Sequence, residues 1–164
     1  MYARSKRYPF GRSISRPVIR LLTAGLYAGY PAGCLLQLLP ATGAGLWAHF
    51  AGLALIVVAV GCFLSIAMSS VQRQAQEVDA QLDERERAER DHAGYRAHAL
   101  FSCVVLLGIL YIALVSDLVA NGKADLWLPQ GYEGWNAIFW GAMMLALTLP
   151  AAVLGWRRGL PDVD

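Results

Sequence analysis

Long uncharged stretches dominate this chain and are separated by short polar connections. No Asp, Glu, Lys or Arg occurs in residues 21–72, and a Pro- and Gly-containing break at residues 40–45 divides that run in two. Two further uncharged runs cover residues 97–116 and 134–156. A helix needs about 20 apolar residues to cross a hydrocarbon core of about 30 Å. The pattern therefore predicts four membrane-spanning helices, at about residues 17–39, 45–70, 97–120 and 134–156.

The composition fits a membrane protein better than a soluble domain. Hydrophobic residues make up 57% of the chain and charged residues only 16%, whereas a soluble domain of this length is more evenly balanced. The expected fold class is all-α, a four-helix transmembrane bundle. It forms one membrane domain at residues 17–160, preceded by a basic tail at 1–16 and followed by a short tail at 161–164.

The distribution of Lys and Arg predicts the orientation of this bundle. Six of these residues precede the uncharged part of span one, which begins at residue 21, five lie between spans two and three, two follow span four, and only Lys123 lies on the other side. Positive charge near span ends is retained in the cytoplasm. Both termini are therefore expected in the cytoplasm and the chain in the bacterial inner membrane. A cleaved lipoprotein-type signal ending at Cys34 is the alternative, and Pro31 stands where such a signal needs Leu.

The densest charge run, "LDERERAERDHAGYRAHAL", covers residues 82–100, between spans two and three. Asp83 followed by Glu86 has the pattern of a capping box, which predicts a helix start. Asp83 with Arg87, and Glu86 with Arg90, are acid-then-base pairs four residues apart, the favourable order in a helix. The run is therefore predicted to be a solvated helix that leads into span three.

Upstream of this run, apolar residues recur at helical spacing: Val71, Ala75, Val78 and Leu82. This narrow seam predicts that span two continues beyond the membrane. Together the two extensions form a cytoplasmic helical hairpin at residues 71–96. Its candidate docking residues, here called the charged segment, are Asp83, Glu84, Arg85, Glu86, Arg87 and Arg90.

The stretch "LDERERAERDHAGYRAHALF" at residues 82–101 resembles the DERE-type helix start of uncharacterised small bacterial membrane proteins with about four spans. These families are known mainly as domains of unknown function. Outside residues 82–101 the resemblance rests on helix number and apolarity. It implies a membrane location and a four-span fold, and it brings no mechanism.

Span one carries a stripe of small residues at four-residue spacing, here called the glycine face: Gly25, Gly29 and Gly33. Small residues let helix backbones approach closely, which is the main source of helix association in lipid. Packing within one bundle is the favoured interpretation of this GxxxG pattern. A homo-oligomer contact is the alternative.

Chemistry-bearing groups are scarce in the predicted spans. No Asp, Glu, Lys or Arg lies near a span centre, which disfavours a proton-coupled pump. His49 and Asp117, near the outer ends of spans two and three, form a candidate polar pair. All three cysteines lie inside spans and form no CxxC motif, so disulfide chemistry is not expected. No catalytic set, cofactor, metal ligand set or nucleic-acid module is recognisable, and an enzyme is not the favoured interpretation.

Two functions are consistent with these observations. The first is an accessory or interaction protein, which is held in the lipid bilayer and presents the cytoplasmic hairpin to a protein partner. The second is a small oligomeric transporter or channel subunit, which assembles through the glycine face. Its outer mouth would carry His49 and Asp117.

Overall fold

The computed structural model describes residues 14–39, 44–76 and 84–156, and its regular elements there are five α-helices. They are α1 (Arg16–Gln37), α2 (Ala44–Ala67), α3 (Ser70–Gln76), α4 (Glu84–Ala120) and α5 (Gly131–Trp156). The all-α prediction is therefore confirmed for the described part of the chain. Both predicted terminal tails lie largely outside the described residues.

Among the described residues, three helices are long and apolar enough to cross a membrane: Gly45–Ala67 in α2, Arg87–Ala120 in α4, and all of α5. α1 is less apolar, because two tyrosines, two prolines, two arginines and a glutamine lower its mean hydropathy. Its buried residues share one side of the helix, because they lie four, three and seven positions apart: Ile19, Thr23, Leu26 and Gly33. α1 is thus the helix with the clearest inward side.

α1 and α2 form an antiparallel pair. The start of the contact brings Gly25 next to Cys62, and its other end brings Gly33 next to Ile56. α5 is also antiparallel to α1, because Gly155 near its end meets Ile19, and Gly141 near its start meets Tyr30. Three long helices therefore share one core.

The core joins side chains from α1, α2 and α5. Its buried members are Leu26, Ala59, Ile66, Met144 and Ala151. Partly buried residues pack around them, among them Val71 of α3. Since most of the buried side chains are aliphatic, dispersion contacts and close packing hold this core together when lipid surrounds it.

The chain breaks its helix between α2 and α3, at Met68 and Ser69. The Ser69 hydroxyl accepts a hydrogen bond from the backbone N–H of Gln72 at 3.1 Å, which is how an N-cap residue starts a new helix. α3 then lies against α5 and α4. The predicted uninterrupted extension of span two is therefore not observed at this point, because Ser69 caps a separate helix. The rest of the predicted seam lies outside the described residues.

α4 is one continuous helix of 37 residues that contains both charged residues and the apolar run. It ends in a Schellman motif, in which Lys123 N–H donates to Leu118 O at 2.9 Å and Gly122 N–H donates to Val119 O at 3.0 Å. Gly122 has a φ of 67°, a backbone conformation that favours glycine. The ten residues after this helix lead into α5, against which α4 packs.

Candidate functional site

The described part of the charged segment lies in the first two turns of α4. Glu84 and Arg85 are exposed, and Arg87 and Arg90 are partly buried. Asp83 and the Glu86 side chain lie outside the described residues, and so do the two predicted ion pairs that involve them. The residues that are described carry both signs of charge along a short length of helix.

Arg85 and Arg90 each lie in an ion pair with another described residue of this part of α4. Arg85 Nε lies 3.3 Å from Glu89 Oε1, and Arg90 Nη2 lies 2.7 Å from Asp91 Oδ1. The first pair has the base before the acid, the less favourable order relative to the helix dipole. The Arg85 side chain is 74% exposed, so water screens this pair and it contributes at most about 1 kcal/mol.

The predicted outer-face pair, His49 and Asp117, makes separate contacts. The Asp117 carboxylate accepts a hydrogen bond from the Asn121 amide at 3.0 Å, within α4. The backbone carbonyl of His49 accepts one from the Gln37 amide at 2.9 Å. Neither of these bonds joins His49 to Asp117, and α2 and α4 are not among the closely packed pairs of helices. A contact between the two residues stays a prediction.

The glycine face of α1 lies against α2. A Cβ atom added at Gly25 would be 3.1 Å from Cys62 Sγ, and one at Gly29 would be 3.8 Å from Ala59 Cβ. At Gly33 it would be 2.8 Å from the backbone oxygen of Gly52. The closest approach of the two backbones is therefore at Gly33. Gly52 lies on the α2 side of this contact. The GxxxG spacing of span one did not predict it, because Gly52 belongs to the other helix.

Sequence reasoning missed a set of polar contacts between α1 and α5. The Tyr27 and Thr148 hydroxyls lie 3.0 Å apart, Tyr30 Oη donates to the carbonyl of Ala137 at 2.8 Å, and Trp156 Nε1 donates to Thr23 Oγ1 at 2.9 Å. Each bond contributes about 0.5–1.5 kcal/mol. One signal was available, since Thr148 is the single polar side chain in residues 142–155. The Tyr27 and Thr148 hydroxyls therefore satisfy each other, and the Tyr30 hydroxyl is satisfied by a backbone carbonyl of α5.

A cavity of about 260 Å³ lies at the junction of α2 and α3, lined by residues that include Ser69, Gln72 and Arg73. Its two buried polar side chains already hold the fold together. Ser69 caps α3, and the Gln72 amide donates to the carbonyl of Leu147 in α5 at 2.7 Å. Gln72 therefore fixes α3 to α5, and we assign the cavity no chemistry of its own.

Candidate metal ligands are dispersed in the part of the chain that the structure describes. In residues 14–39, 44–76 and 84–156, no three His, Cys, Asp or Glu side chains come together as a ligand set. No family model, no curated protein and no solved structure matches the chain.

Proposed function

We propose that this chain is a four-span integral membrane protein that presents the charged segment to a protein partner in the cytoplasm. The observation that carries this proposal is the continuity of α4, which has 37 residues. Such a helix is about 55 Å long, and a hydrocarbon core takes up only about 30 Å of it. The first turns of α4 therefore project beyond the bilayer as a rigid continuation of a spanning helix.

The packing of α1 supports its assignment as span one, in addition to the spans formed by α2, α4 and α5. α1 lies antiparallel to both α2 and α5, and its contacts with them extend from Ile19 to Gly33. Since α2 and α5 are apolar enough to cross a membrane, a helix packed along their length shares their depth. Its two tyrosine hydroxyls are hydrogen-bonded to α5 and its Gln37 amide to α2, as a membrane interior requires.

The charge distribution supports cytoplasmic termini. The start of α1, the end of α2 and the end of α5 lie at one end of the bundle, because these helices are antiparallel. Along the sequence, thirteen of the fourteen Lys and Arg residues precede the uncharged run of α1, lie between the uncharged runs of α2 and α4, or follow α5, and Lys123 is the one between α4 and α5. Retention of positive charge in the cytoplasm then places the charged segment there as well.

The transporter alternative needed the glycine face as its oligomer contact. That face lies against α2 of the same chain, and Gly33 approaches the backbone of Gly52. A second copy cannot use the same surface without separating α1 from α2. The interaction function is therefore the one that the geometry supports best.

A crosslinking experiment in native membranes tests the docking role. The chain carrying Glu84→Gln, Arg85→Gln and Arg87→Gln together should lose a specific cytoplasmic partner that the wild type captures. The physical reason is the loss of charge-assisted contacts at the exposed start of α4, and partner capture is measured by mass spectrometry of crosslinked complexes.

The matched control changes charges at the opposite end of α4, with Lys123→Gln and Asp125→Asn. This control should capture the same partner as the wild type. Equal expression and equal unfolding free energies of all three proteins, measured by SDS titration, exclude a folding defect, and the second measurement is needed because Arg87 is partly buried. Identical partner sets for the wild type and the charged-segment variant would contradict the proposal.

A further inference from the structure

Arg20 and Trp156 mark the same boundary on two different helices. Arg20 is the last charged residue before the uncharged run at residues 21–72, and Trp156 ends the uncharged run at residues 134–156. The fold brings them together, with the guanidinium carbon of Arg20 5.8 Å from the centroid of the Trp156 ring. In a spanning bundle, both residues therefore lie where the hydrocarbon ends and the headgroups begin.

The Trp156 ring is held in place below the guanidinium. Its Nε1 donates to Thr23 Oγ1 at 2.9 Å, and the same hydroxyl donates to the backbone carbonyl of Arg20 at 2.9 Å. Thr23 is only 1% exposed. A buried hydroxyl thus connects the backbone that carries Arg20 to the ring that faces its side chain, and the pair is preorganised rather than assembled on binding.

The charge of Arg20 is not compensated by an acid in the described part of the chain. Its side chain is partly buried, and its Nε is shielded from solvent without a hydrogen-bond acceptor in those residues. An aromatic face attracts a guanidinium but does not neutralise it. A partly desolvated cation at headgroup depth is stabilised by an oxyanion, and phosphate is the anion abundant at that depth.

We propose that Arg20 and Trp156 form a binding site for the phosphate group of one glycerophospholipid. The planar guanidinium binds two phosphate oxygens in a bidentate manner, and the ring restricts its orientation. Thr23 acts as a positioning residue through Trp156. The site lies beside α1 and α5 and is separate from the charged segment, so it stands or fails independently of the docking role.

Native mass spectrometry of the full chain in a mild detergent, titrated with phosphatidylglycerol, tests this site. Arg20→Lys keeps the charge but loses the bidentate geometry, and it should weaken binding of the first lipid about tenfold. The matched control is Arg73→Lys, which changes an exposed arginine that lies after α2 at the same end. This control should bind the lipid as the wild type does.

Two further measurements complete the test. Thr23→Val leaves every charge in place and frees the Trp156 ring, so it should cause a smaller loss in the same direction. Inorganic phosphate at the same concentration as phosphatidylglycerol should not displace the bound lipid from the wild-type protein. Displacement would overturn the assignment of the site to a lipid. If the Arg20→Lys variant binds phosphatidylglycerol as tightly as the wild type, the site itself is overturned. Binding would then depend only on a positive charge near the lipid and not on the guanidinium geometry.

Discussion

Replacing Gly33 by alanine should destabilise the helix bundle by about 2–3 kcal/mol, near the upper end of what overpacking usually costs. The new Cβ atom would lie 2.7 Å from Ile56 Cγ1, 2.8 Å from the Gly52 oxygen and 3.1 Å from the Ile56 nitrogen. Two of these neighbours are backbone atoms of α2, so a side-chain rotation cannot relieve the overlap. The free energy of unfolding, measured by SDS titration of the protein in mixed micelles, checks this result.

Gly61→Ala is the matched control for this variant, because a Cβ atom added there meets nothing within 4 Å. It should leave stability unchanged or raise it by up to about 1 kcal/mol, since alanine favours helix over glycine. Equal unfolding free energies for the two variants would mean that α1 and α2 do not approach each other at Gly33.

Replacing Gly155 by alanine should destabilise the contact between α1 and α5 by about 2 kcal/mol. The added Cβ atom would lie 2.5 Å from Ile19 Cγ2. Ile19 is 1% exposed and branched at Cβ, so it has little freedom to move aside. The same SDS titration measures this effect.

A second substitution tests the cause directly. Ile19→Leu removes the Cγ2 methyl group and keeps the side-chain volume, so the double variant should recover at least half of the stability that Gly155→Ala loses. If the double variant loses as much stability as the two single variants together, the contact between the added Cβ atom at position 155 and the Ile19 methyl group is not the source of the strain. Gly108→Ala, in α4 and without neighbours within 4 Å, is the control for the substitution itself.

The sequence carries enough information for the helices but not for all their breaks. Uncharged runs mark the long helices, and α4 and α5 end at Ala120 and Trp156, the residues predicted as the ends of spans three and four. The break after α2 was missed, because the apolar spacing continues through it. Ser69 with Gln72 three residues later has the spacing of a capping box, and that local signal outweighs the periodicity.

The contacts between helices could be predicted only in part. The small residues of α1 show which side of it approaches a neighbour, but not that this neighbour is α2. Tyr27 and Thr148 are 121 positions apart, and a single sequence does not show which helix faces meet. The contact between Arg20 and Trp156 was not predicted either, because it also depends on which helix faces meet. Each residue does mark one end of an uncharged run.

Cysteine labelling at four positions tests the central claim, a four-span bundle with the charged segment in the cytoplasm. Single cysteines replace Ser15, Leu39, Arg85 and Lys123 in a chain whose own cysteines are changed to alanine, and whole cells are treated with a maleimide that does not cross membranes. We expect labelling at positions 39 and 123 in intact cells, and at 15 and 85 only after permeabilisation. Labelling of 15 and 39 from the same side would show that α1 does not span, and labelling of 85 in intact cells would place the charged segment outside.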